Sequence, residues 1–68
     1  MIIELIEYHP TYLIPENGKY LVKTITNLGF IRFLEANCKL IYKEKQKRWE
    51  TSIDVSNQKV ILISKNIL

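Results

Sequence analysis

Sixty-eight residues and 8.1 kDa leave room for one small domain, residues 1–68, and at that length only about 60% of the unfolded surface is buried on folding. A hydrophobic fraction of 47% excludes a disordered chain, and the lone Cys38 excludes an intrachain disulfide. Cys38, His9 and a few scattered carboxylates lack the spacing of a metal site, and no cofactor is expected, so a well-packed core or self-association must supply the stability. The net charge of +3 is mildly basic.

Eleven Ile, three Val and four Thr against a single Ala favour strands, because branched side chains lose rotamers in helices and pack well on a pleated surface. Residues 2–8 carry Ile2, Ile3, Leu5 and Ile6 at a spacing that suits a strand or a short helix, and we read a strand. Pro10 and Pro15 bracket a loop or edge segment, since proline removes a backbone donor and disfavours helix before it. Glu16-Asn17-Gly18 reads as a turn, Lys19–Ile25 as a strand, and Thr26-Asn27-Leu28-Gly29 as a hairpin turn.

The next strand is long. From Leu28 the even positions through Tyr42 are apolar except Arg32, while half of the odd positions are polar. A period of two sustained that far is a strand pattern. After a polar loop over Lys43–Arg48 the alternation resumes at Trp49, Thr51, Ile53 and Val55. Folding the chain about the loop sets Tyr42 against Trp49, Leu40 against Thr51, Cys38 against Ile53 and Ala36 against Val55. Matching faces of this kind fix a register. Ser56-Asn57-Gln58 is another turn and Lys59–Ser64 the last strand.

The expected fold is all-β: a small, twisted antiparallel meander of four to five strands. Ile31, Phe33 and Ile41 fall on the face opposite Phe30, Leu34 and Leu40, joined by Ile61 and Ile63 if Val60 and Leu62 point to the first face. Apolar residues on both faces with no helix to cover the second imply a barrel-like curl or a partner chain, and a homo-oligomer is expected.

Lys39, Lys43, Lys45, Lys47 and Arg48 against Glu44 place +4 within ten residues, leaving −1 elsewhere. Such a loop attracts nucleic acid, a nucleotide or an acidic protein, or keeps a sticky hairpin soluble. Tyr42 and Trp49 at its base are candidates for stacking on a base while Lys43, Lys45, Lys47 and Arg48 meet phosphates; they equally suit an aromatic pair closing the hairpin. Lys23 and Arg32, which the Asn27 hairpin would set opposite one another, form a second candidate set. No catalytic set is apparent, and no enzyme is expected. His9 stands alone beside Pro10, Cys38 lies on an apolar face, Glu35 and Asp54 sit among lysines, and Gly18 and Gly29 begin no phosphate-cradling loop. Met1–Glu7 lacks the basic start of a signal peptide and no apolar run approaches the ~20 residues of a membrane span. A cytoplasmic protein without membrane contact is expected.

Pro15-Glu16-Asn17-Gly18-Lys19-Tyr20-Leu21-Val22, Phe30–Ala36, Lys47-Arg48-Trp49 and Val55–Val60 together resemble a loose family of short phage and prophage proteins. Ser56-Asn57-Gln58 before a strand is similar to small proteins of phages infecting gut Bacteroidales. The closing strand departs from that family's Thr-His-Trp-type ending and reads Ile61-Leu62-Ile63. The resemblance spans about residues 15–64 and implies a phage accessory protein in the host cytoplasm. The expected function is a non-enzymatic binder that acts in counter-defence by sequestering an anionic nucleotide signal or inhibiting a host protein, with an acidic host protein as a candidate partner. The alternatives are a nucleic-acid-binding module and a virion decoration subunit.

Overall fold

The computed structural model describes residues 2–68. Five strands form one antiparallel sheet: β1 (Leu5–Glu7), β2 (Gly18–Thr26), β3 (Ile31–Lys43), β4 (Arg48–Ile53) and β5 (Gln58–Ser64), with no helix among the described residues. The order across the sheet is β1-β5-β2-β3-β4. Strands β2, β3 and β4 run as the expected meander. Strand β5 leaves it, passing β4 and β3 to pair with the other side of β2, and β1 joins the far edge of β5.

That return explains the curl of the sheet. Ile53 ends β4 level with Cys38 and Gly18, whereas Gln58 begins β5 level with Thr26. In a flat sheet those two ends would lie about 30 Å apart, from strand spacing and rise together. The chain from Ile53 to Gln58 reaches at most about 17 Å, so the sheet must coil to bring them within range. The coil stops short of closure, because β1 and β4 do not pair and no barrel forms.

The concave side holds the core. Tyr20 and Val22 of β2, Ala36 and Cys38 of β3, and Val60 and Ile63 of β5 are buried there together with Ile14. Burying side chains the size of Val22 and Ile63 contributes ~1.5–3 kcal/mol each. Ile14 belongs to the Pro10–Pro15 loop, which folds inward: its N–H donates to Thr51 Oγ1 at 3.1 Å, and that hydroxyl donates to Tyr12 O at 2.9 Å. Buried Thr24 donates to Gln58 Oε1 at 2.6 Å, and buried Ser64 accepts from Leu21 N–H at 3.1 Å while donating to Asn66 O at 3.0 Å. Among the described residues no buried side-chain polar atom lacks a partner.

The last strand corrects one expectation. Val60 and Leu62 do not share the first face: Val60 pairs with Thr24 and Leu62 with Lys23, so Ile61 is an extra residue on β5. This bulge switches the alternation and brings Val60 and Ile63 to the same buried side. The Ile61 carbonyl accepts from Tyr8 N–H at 3.0 Å. The convex face is uncovered. Phe33 and Ile31 of β3 remain 60% and 49% exposed there.

Candidate functional site

The β3–β4 hairpin has the register read from its faces. Tyr42 pairs with Trp49, Leu40 with Thr51 and Cys38 with Ile53. The ladder then ends, and Val55 lies beyond it: Asp54 N–H donates to Asn37 O at 2.9 Å. The Tyr42 and Trp49 rings meet edge to face, with centroids 5.2 Å apart and planes at 68°. The loop turns on Lys47 N–H donating to Glu44 O at 3.2 Å, with Lys47 at a left-handed φ of 54°. Lysine there is strained by its Cβ, so a cation is held at the tip where Gly or Asn would fit more easily.

The parity of the strands decides what these residues share. Tyr42 and Trp49 project on the concave side in line with Cys38 and Ile53, whereas Lys43 and Arg48 pair on the convex side. Lys45 and Lys47 are exposed at the tip between them. The aromatic pair and the two basic residues at its base therefore occupy opposite faces of one hairpin. Arg48 is partly occupied as well, its Nη2 and Nε lying 2.8 and 2.9 Å from Glu50 Oε2.

The second candidate pair is separated too. Lys23 stands opposite Phe33, and Arg32 opposite Thr24. The hairpin closes one residue away from the register that would match Lys23 with Arg32: Thr26 N–H donates to Phe30 O at 2.9 Å. Lys23 is therefore convex and Arg32 lies on the concave side. Lys23 Nζ sits 5.7 Å from the Phe33 ring centroid, a cation–π contact.

The convex face and the loop it continues into collect Lys19, Lys23, Lys39, Lys43, Lys45, Lys47, Arg48 and Lys59 against Glu7, Glu35, Glu44 and Glu50. Eight cations against four carboxylates give +4, so the remainder of the +3 chain carries −1. Lys23 is level with Phe33, and from Phe33 to Lys43 β3 advances by ten residue steps, about 33 Å of strand. The odd positions of β2 and β3 were enough to reveal Lys19 and Lys39. Lys59 was hidden, because its face depends on which strand β5 joins.

Other reactive groups stand apart. Cys38 is buried, and burial pushes its thiol up from the ordinary range. His9 is exposed, 3.8 Å from Glu7. Among the described residues no three His, Cys, Asp or Glu cluster as metal ligands. A cleft of about 470 Å³ opens beside Trp49, walled by Pro10, Thr11 and Leu13 on one side and Arg48, Glu50 and Thr51 on the other. No helix among the described residues is long and apolar enough to cross a membrane. No protein-family model, curated protein or solved structure matches the chain.

Proposed function

We propose that this chain is a nucleic-acid-binding module that holds a single strand along its convex sheet face and acts without catalysis. The supporting observation is the arrangement of the lysines. They line one face over about 33 Å instead of converging on one point, with exposed Phe33 among them. A row of cations tracks a phosphate backbone, and an exposed ring offers a base a surface on which to stack.

The test is fluorescence anisotropy of a labelled oligothymidylate with the native chain and a Lys23→Ser, Lys39→Ser, Lys43→Ser variant. All three side chains project from the convex face, so the fold should tolerate their loss. Binding by the native chain and a tenfold or greater loss in the variant, about 1.4 kcal/mol or more, is expected. Equal binding by both would overturn the reading.

A second reading is sequestration of a single anionic nucleotide, suggested by the basic loop with aromatic residues at its base. The cleft beside Trp49 with Arg48 at its rim favours it. On that reading Trp49→Ala abolishes binding of a mononucleotide, and the lysine variant does not.

A further inference from the structure

One stretch of the sheet is bare along its edge. Thr26 N–H donates to Phe30 O, which makes Thr26 and Phe30 a hydrogen-bonded pair. Such pairs alternate along an antiparallel ladder, so the even residues of β3 bond to β2. The odd residues Ile31, Phe33, Glu35 and Asn37 direct their N–H and C=O groups to the other side. Two contacts agree with this phase: Asn37 O accepts from Asp54 N–H on the β4 side, and Leu40 N–H donates to Asn17 Oδ1 at 2.9 Å on the β2 side. Strand β4 begins to pair only at Cys38. Among the described residues, the N–H and C=O groups of Ile31, Phe33 and Glu35 therefore have no partner.

We infer that this open edge pairs antiparallel with the same edge of a second copy of the chain, about a two-fold axis at Phe33. The open set is symmetric about that residue. Phe33 of one copy then faces Phe33 of the other, and Ile31 faces Glu35 in both directions. Every open donor meets an open acceptor, and the same register sets the two exposed Phe33 rings side by side as a cross-strand pair. Shifting the register by two residues leaves groups at both ends unmatched. At the end of the paired stretch, Asn37 of one copy, with Asp54 attached, comes level with Gly29 of the other. Gly29 lies outside β3 and turns the chain at φ 87°, so the paired stretch ends there.

The other edges are less suited. Strand β4 is flanked by the Arg48–Glu50 pair and by the inward-folded loop bonded to Thr51, and β1 has only three residues. An exposed edge lined with large apolar side chains is the kind that pairs. The union would join two convex faces into one continuous sheet and lengthen the row of lysines, but it stands independently of what that face binds.

Sedimentation equilibrium with native and Phe33→Lys chains tests the inference, since lysines directly opposed at the axis repel. Residue 33 is exposed in one copy, so the substitution should spare the fold. The native chain should dimerise and the variant should raise the dissociation constant about tenfold or more. Hydrogen exchange on the native chain is the independent check: the Ile31, Phe33 and Glu35 amides should gain protection as concentration rises. A chain that stays monomeric to millimolar concentration would overturn the pairing. So would a dimer that Phe33→Lys leaves intact, or one in which those three amides exchange at a rate independent of concentration.

Discussion

Lys23 and Phe33 face each other across the β2–β3 ladder, with the ammonium nitrogen 5.7 Å from the ring centroid on the convex side of the sheet. This contact holds a cation and an aromatic surface side by side where a strand of nucleic acid would lie. Replacing Lys23 with Met keeps the stem and removes the charge. Stability should change by less than ~1 kcal/mol, the range of a partly exposed cation–π contact. Affinity for an oligothymidylate should fall severalfold. Thermal unfolding and anisotropy read the two effects separately.

Lys47 supplies a second test, of the turn. Its φ of 54° is a conformation that a Cβ makes costly. Lys47→Gly relieves that strain, offset in part by the greater freedom of glycine when unfolded. A gain of about 0.5–1 kcal/mol in denaturant unfolding is expected. A loss would mean that the lysine side chain contributes more to the turn than its backbone strain subtracts.

Tyr20 makes the fold sensitive to alkali. Burial raises its phenol above the ordinary value, and its hydroxyl donates a hydrogen bond to Glu16 O. The folded state therefore holds the proton more tightly than the unfolded chain. The stabilisation is complete below the unfolded value, about 10, and is lost as pH rises through the higher folded value. Tyr20→Phe should cost about 1 kcal/mol at neutral pH and flatten the decline in stability above pH ~10. Cys38 and Tyr8 are shifted in the same direction by burial, so a residual decline should persist in the variant.

The bulge at Ile61 can be tested by deletion. Removing Ile61 leaves one residue between Val60 and Ile63, matching the one residue between Thr24 and Val22 on β2. Both core residues then stay on the concave side. The deletion variant should fold, with stability lowered by the lost Tyr8–Ile61 hydrogen bond and by removal of the Ile61 side chain. Deleting Glu35 from β3 should prevent folding, because a one-residue slip sends a whole run of side chains to the wrong face. Circular dichroism and thermal unfolding distinguish the two outcomes.

The local parts of the fold were legible in the sequence. The turns at Asn27–Leu28 and after Lys43 set two hairpins, and apolar parity placed Tyr42 opposite Trp49. Uncovered Ile31 and Phe33 could be read from the same parity. The course of β5 was not legible: its partner is chosen by the coil of the sheet and by the core side chains Tyr20 and Val22, far away in sequence. The bulge was hidden for the same reason, since Val60, Ile61, Leu62 and Ile63 are all apolar and carry no alternation of their own. The candidate site was partly legible. Composition located the cations of the loop, but only the strand pairing shows that Tyr42 and Trp49 lie on one face and Lys43 and Arg48 on the other. Lys23 and Arg32 were misaligned because the hairpin register depends on which residue closes the turn.

The salt dependence of oligothymidylate binding tests the central claim most directly. If about four convex-face lysines displace counterions from a single strand, a plot of log K against log salt should slope near −3. That slope should become shallower in the Lys23, Lys39 and Lys43 serine variant. No binding at low salt, or a slope that the three substitutions leave unchanged, would contradict the claim.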